Sequence, residues 1–409
     1  MGQERTVRVG IVKAQELRVV FHSAYLLDGK PFVGEHCFTP QDGERLFVPA
    51  DEGASFTLKD VVIGIGFHWE RKEEQRFCGP LLLKMEEGMV RAINVVPVET
   101  YLTSVISSEM SANASLEFLK AHAVISRSWL MRILEQDQQK PSPNAQAGSQ
   151  LSTVNSQLST LNSQLSPDTI IRWYDNEAHH GFDVCADDHC QRYQGITRQT
   201  NPQVVEVIEA TRGQVLTYDG KVCDARFSKC CGGMTEVFES CWENIRHPYL
   251  VAKPDPYCNT SDARILSQVL NNYDQETVDF YRWTVTYSTD ELSELIRRKS
   301  GIDFGRILDL VPMERGASGR IVTLKIVGEK RTVVVGKELE IRKWLSESHL
   351  YSSAFEVEKT ADRFVLHGKG WGHGVGLCQI GAAVMGDQGI PYTEILDFYY
   401  PHAQLMRMW

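Results

Sequence analysis

Pro97-Val98-Glu99-Thr100-Tyr101-Leu102-Thr103-Ser104-Val105-Ile106-Ser107-Ser108-Glu109-Met110 is the stretch from which the fold can be built outward. Proline suits the first turn of a helix, where its missing N–H is not needed. Val98, Tyr101, Leu102, Val105 and Ile106 then recur at helical spacing, which predicts one buried face. Glu109 continues that stripe, four residues after Val105. A carboxyl that loses hydration on such a face would keep its proton near neutral pH, as a general acid must.

A second helix is predicted from Asn113 or Ser115, either of which can cap it, with Leu116, Leu119, Ala123, Leu130 and Leu134 as its apolar row. Arg127 falls in that row. A buried cation needs an anionic partner, here Glu109 or Glu99, unless the side chain snorkels to the edge of the core.

Before the pair, Thr6 to about Gly88 alternates in strand fashion, as in Val7-Arg8-Val9-Gly10-Ile11-Val12, with Asp28-Gly29 and Asp42-Gly43 as turns. This predicts a β-rich N-terminal module over residues 1–90. After the pair, residues 135–168 turn to Gln, Ser, Asn and Pro, and Gln150-Leu151-Ser152-Thr153-Val154-Asn155-Ser156 recurs almost unchanged from Gln157. With two apolar residues per repeat and no flanking charges, a disordered insertion within a 91–260 catalytic region is expected, dispensable for chemistry. The remainder, 261–409, is mixed. A helix is predicted near Thr289–Lys299, a turn at Arg315–Arg320, a helix around Glu338–Leu345 and a strand at Ala354–Val357. Together these give an α+β architecture.

The whole is 409 residues with 42% apolar content, enough for a large core. Forty-three Lys and Arg against 53 Asp and Glu leave a net charge of −10, which argues against nucleic acid or anionic lipid as partner. No run of about twenty apolar residues predicts a transmembrane span. The start, Met1-Gly2-Gln3-Glu4-Arg5-Thr6-Val7, lacks the apolar stretch of a secretory signal.

Three motifs carry chemistry. The segment His179-His180-Gly181-Phe182-Asp183-Val184-Cys185-Ala186-Asp187-Asp188-His189-Cys190-Gln191 offers thiolates and imidazole at short spacing. It can take three corners of a zinc tetrahedron; a Cys185–Cys190 disulfide or two free thiols are the alternatives. Seven of the ten cysteines lie between Cys185 and Cys258, which favours a local metal site or a few staples. Next, Arg226-Phe227-Ser228-Lys229-Cys230-Cys231-Gly232-Gly233 sets small residues after a strand, so that backbone can approach a ligand. Adjacent Cys230 and Cys231 must pair with Cys223, Cys241 or Cys258, or stay reduced. Finally, His367-Gly368-Lys369-Gly370-Trp371-Gly372-His373-Gly374-Val375-Gly376-Leu377-Cys378-Gln379 holds five glycines in nine residues, a poor core strand. It reads as a backbone surface over residues 367–382 for a ligand, with Trp371 to stack on a sugar ring and His373 and Gln379 to bond its polar groups. A tight turn with a structural histidine is the alternative.

Pro97–Leu102 with Glu109-Met110, Leu119-Lys120-Ala121-His122-Ala123-Val124 with Arg127, and the ends His373–Gln379 and Ile395–Pro401 resemble the SpoIID/LytB family, stage II sporulation protein D and the LytB amidase enhancers. The resemblance covers roughly 91–134 and 170–409. It implies a peptidoglycan lytic transglycosylase that cleaves the MurNAc–GlcNAc linkage with Glu109 as single acid and base. Arg127, Gln191, Ser228, Trp371, His373 and Gln379 are the expected substrate contacts. It also implies zinc on His179 or His180 with Cys185 and Cys190, glycan strands and a cell-wall amidase as partners, and a periplasmic or envelope location. Ser111 stands where the family usually has proline. A non-catalytic, wall-binding amidase enhancer is the main alternative, and a cysteine hydrolase using Cys230 or Cys378 with His373 a second.

Overall fold

A computed structural model describes residues 2–64, 70–111, 114–139, 168–174, 179, 181–187, 189–199, 202–269 and 280–409. The Gln/Ser-rich repeats, His180 and Asn113 fall outside these.

The chain is α+β. Its N-terminal strands build one curled, mostly antiparallel sheet. Asp28 and Gly29, both at positive φ (51° and 77°), form the tight hairpin between strands Leu17–Leu27 and Lys30–Phe38. Inward-facing Val7, Val9, Phe21, Phe47, Phe56 and Phe77 meet in the main core. One edge of this sheet receives a far-off piece: Val184–Cys185 pairs in parallel with Thr6–Ala14, Cys185 opposite Gly10. Gly10 has no side chain because a Cβ there would lie 2.7 Å from the Phe182 ring. The sheet edge thereby carries the cysteine loop.

Strand Met89–Pro97 runs directly into helix α1, Val98–Glu109, with Pro97 as its N-cap residue one step before the first turn. Tyr101, Leu102, Val105 and Ile106 are wholly buried, as their spacing requires. Helix α2, Leu116–Gln139, starts after Ser115, whose hydroxyl accepts from the Phe118 N–H. The break between the two helices is held by a bond from the Ser111 N–H to the Gln268 carbonyl, 2.9 Å, which a proline at that position could not make.

A second core lies under the C-terminal elements, among Trp283, Leu292, Phe304, Leu324, Ile341 and Phe364. Helix Thr289–Ser300 is closed by a Ser288/Glu291 capping box and by Gly301 in the left-handed conformation. Helix Glu338–Trp344, strand Phe355–Lys359 and the Arg315–Ile321 hairpin turn also form where the pattern predicts. The sheet of this half takes Thr169–Ile171 as an edge strand, so the chain on either side of the repeats serves different layers.

Two distant motifs are joined edge to edge. Phe227–Ser228 pairs in parallel with Leu377–Cys378, and Cys230 exchanges both backbone bonds with Trp371. This places the Cys-Cys-Gly-Gly turn against the glycine-rich run. Among the described residues no helix is long and apolar enough to cross a membrane.

Candidate functional site

A cleft of about 1320 Å³ opens between the cysteine loop, the end of α1 and the glycine-rich run. Glu109, His179, Cys185, Cys190, Gln191, Ser228, Trp371, His373 and Gln379 all line it. Of the expected site residues within the described chain only Arg127 does not.

Glu109 is the last residue of α1 and is half-buried, not sealed in the core. The apolar stripe does continue to it, but by then the helix has run past the core and the same face looks into the cleft. Its Oε1 accepts the Arg192 N–H at 2.9 Å. The carboxylate is thereby fixed to the backbone just beyond Cys190.

Arg127, expected as a substrate contact, is wholly buried in an ion pair with Glu99, Nη2 to Oε2 2.6 Å and Nε to Oε1 3.1 Å. Glu99 also accepts from the Gly213 N–H and the Trp409 indole, and Arg127 donates to the Gln214 carbonyl. These contacts tie α1, α2, Gly213–Gln214 and Trp409 together, and Arg127 does not line the cleft. The row position was read correctly, but the neighbour it faces is protein.

The cysteine loop forms a compact donor cluster. Ligating atoms of His179, Cys185, His189 and Cys190 all lie within 4.8 Å of one another. His179 Nε2 is 3.1 Å and His189 Nδ1 3.5 Å from the Cys190 sulfur. The bond between the thiols holds Cys185 toward thiolate and pushes Cys190 toward thiol, with both imidazoles assisting Cys185. Two sulfur and two nitrogen donors fit a tetrahedral Cys2His2 set. His189, close to the two cysteines in sequence, joins His179 as the second nitrogen donor.

The glycine-rich run differs from its reading. Gly374 has φ +75° and a Cβ there would lie 2.4 Å from the Arg320 guanidinium; at Gly376, φ +71°, it would meet the Arg226 carbonyl at 2.0 Å. The glycines admit neighbouring protein, not ligand. Arg320, fully buried, donates to the Gly372 carbonyl through Nε and Nη2 and to the Cys231 carbonyl through Nη1. A Gly374→Ala substitution is therefore expected to cost about 2–4 kcal/mol, combining left-handed strain with overpacking. Urea unfolding of the variant against wild type measures it.

His373 behaves as the structural histidine. Its Nδ1 accepts the Val375 N–H at 3.0 Å, its ring also bonds the Phe227 backbone, and burial drives its pKa well below 6.5. No bond joins it to Cys230 or Cys378, both wholly buried, so the Cys–His pair of a hydrolase does not form. Gln379 donates to His122 Nε2 at 3.1 Å, and His122 Nδ1 bonds Ser126. Ser228 differs: its hydroxyl is buried in the cleft floor with no hydrogen-bond partner among the described residues. Gln191 meets the Tyr101 hydroxyl and the Ser126 carbonyl at 3.4 and 3.5 Å. Trp371 stays partly open, flanked by Phe280 and Tyr351 rings, while Trp242 stacks edge-on to His373.

Burial lowers the His122 pKa from 6.5 to about 3, with Lys229 adding to the effect. The folded value lies below the unfolded one, so the unfolded chain binds the extra proton. Stability is complete above about pH 6.5 and falls as pH drops toward 3, by up to ~1.4 kcal/mol per unit from this residue. His122→Gln is expected to flatten urea-unfolding stability between pH 6.5 and 5 by that amount.

This geometry meets a known family. Residues 86–218 match the family described as Stage II sporulation protein, and 236–376 match a domain of unknown function. Stage II sporulation protein D of Bacillus subtilis (strain 168) is 24% identical over 331 residues, 80% of each chain. Its counterpart from Bacillus amyloliquefaciens is 26% identical over 311 residues, 76% of this chain and 74% of that one. The amidase enhancer of Bacillus subtilis (strain 168) is 27% identical over 245 residues, 53% of this chain but 34% of its own length. Residues 86–218 thus carry a domain similar to the Stage II sporulation protein family.

Proposed function

We propose that the chain is a peptidoglycan lytic transglycosylase that cleaves the MurNAc–GlcNAc linkage of glycan strands. The observation that carries this is Glu109, a backbone-anchored carboxylate at the helix end, opening into a long cleft walled by aromatic rings. Seven lysines and arginines line that cleft against three carboxylates, Glu70, Glu109 and Asp187, in a chain of net charge −10. Such a lining suits a sugar polymer bearing carboxylates.

A hydrolase acting with two carboxylates needs them about 5–10 Å apart across the bond. One suffices when the nucleophile belongs to the substrate. Glu109 gives its proton to the bridging oxygen as that bond breaks, then takes the proton of the muramyl hydroxyl that attacks the anomeric carbon, closing an anhydro ring and restoring the acid. Trp371 offers a face for a sugar ring, and the Ser228 hydroxyl supplies a free donor in the floor.

His179, Cys185, His189 and Cys190 would hold zinc as a structural ion, stiffening the loop whose Arg192 N–H holds Glu109. Cys190→Ser is expected to slow cleavage about 100-fold by loosening that placement. Rates with and without chelator, followed by zinc re-addition, check it in the wild type. The substrate places the protein in the periplasm or cell envelope.

Mass spectrometry of products from intact and peptide-stripped peptidoglycan tests the assignment. Anhydro-ended fragments support it. Absence of fragments, with wall binding kept, refutes it and favours stimulation of a cell-wall amidase, the role named for the enhancer relative.

A further inference from the structure

We propose that Cys231, Asp255, Cys258 and Cys378 form a second metal site, a closed structural zinc centre beneath the cleft floor. Their ligating atoms all lie within 4.8 Å of one another. Cys231 Sγ is 3.2 Å from Asp255 Oδ2 and 3.4 Å from Cys258 Sγ. Ligands at about 2.0–2.3 Å from a tetrahedral zinc stand roughly 3.4–3.8 Å apart, so small adjustments suffice. All four residues are at most 2% exposed.

The donors come from three segments that only the fold unites. Cys231 follows the strand Phe227–Ser228. Asp255-Pro256-Tyr257-Cys258 is one turn with two donors at i and i+3. Cys378 caps helix Gln379–Asp387. Glycine at 381 is required, since a Cβ there would lie 2.6 Å from the Asp255 carboxylate.

A surrounding shell of donors is in place. The Tyr399 hydroxyl donates to Asp255 Oδ2 at 3.0 Å, and the Tyr257 and Cys258 N–H groups to Oδ1 at 2.9 and 3.3 Å. The Cys231 and Gly381 N–H groups donate to the Cys378 sulfur at 3.3 and 3.5 Å. Five donors would temper the negative charge left by three thiolates and a carboxylate on a divalent ion. Asp255 decides between metal and disulfide. Its carboxylate is buried facing three sulfurs, and no lysine or arginine pairs with it among the described residues. A Cys231–Cys258 disulfide would leave that carboxylate without a cation, whereas zinc supplies one. Three sulfurs favour zinc over a hard ion. The site pins Ser228 and Gln379, which flank its ligands, from below.

The test uses the full chain carrying Cys185→Ser and Cys190→Ser, which removes the cluster in the cleft wall. Elemental analysis after purification from zinc-supplemented cells is expected to find about one zinc per chain. Cobalt substitution is expected to add a thiolate-to-cobalt charge-transfer band. Adding Asp255→Asn, or separately Cys258→Ser, is expected to weaken retention at least tenfold against a competing chelator. The near-isosteric Asp255→Asn carries the test where Cys258→Ser does not fold. No bound metal in the double variant overturns the proposal. So does metal retained undiminished by both additions, or a Cys231–Cys258 disulfide in non-reducing peptide maps.

Discussion

Glu109→Gln is expected to lower the rate of anhydro-fragment release by about 10³-fold while leaving wall binding and thermal stability near wild type. The amide oxygen of Gln can still accept the Arg192 N–H, so the side chain keeps its place. What it loses is the proton that the leaving oxygen needs, and general acid–base catalysis contributes about 10²–10⁴-fold. Product mass spectrometry and binding to insoluble wall, run on the same preparations, read the two halves. Release within threefold of wild type would remove Glu109 from the chemistry. Lost release together with lost stability would show instead that the carboxylate holds the cysteine loop, and the rate could not then be assigned to proton transfer.

Arg127→Met is expected to destabilise the protein by about 3–5 kcal/mol, because it strands Glu99 in the core. Glu99 is 5% exposed and would keep only its bonds from Gly213 and Trp409. Pairing the change with Glu99→Gln should recover part of the loss, since the uncompensated charge disappears. Urea unfolding of the four proteins gives the coupling. Activity per folded molecule at low temperature should stay near wild type; a raised KM with unchanged stability would instead return Arg127 to the substrate.

The helix pair was legible because its signal is local. Tyr101, Leu102, Val105 and Ile106 fall on one face by spacing alone, and Ser115 caps by chemistry alone. Glu109 could be placed on that face, but not at the point where the face leaves the core, because this depends on Arg192 returning from 83 residues away. The choice between Glu99 and Glu109 for Arg127 was likewise settled by Gly213 and Trp409. The glycine run shows the converse. Its composition signalled close approach, and close approach is what it provides, but the approaching groups are Arg320 and the Arg226 backbone. Nothing local to Gly374 names them. The buried Cys231, Asp255, Cys258 and Cys378 group was beyond reach for the same reason, its members lying up to 147 residues apart.

The parallel pairing of Phe227–Ser228 with Leu377–Cys378, and the antiparallel pairing of strand Gln214–Tyr218 with Gln404–Arg407, bear on the order in which the chain folds during synthesis. Loops of such length close slowly, and a ribosome must deliver Leu377–Cys378 before the first pairing can form and Gln404–Arg407 before the second. A partly made chain can already lay down the N-terminal sheet and α1, yet its cleft has no floor. Under the proposed activity, competence to cut arrives late and all together, so pulse-labelled nascent chains should gain protease resistance in the N-terminal half well before any glycan cleavage can be detected.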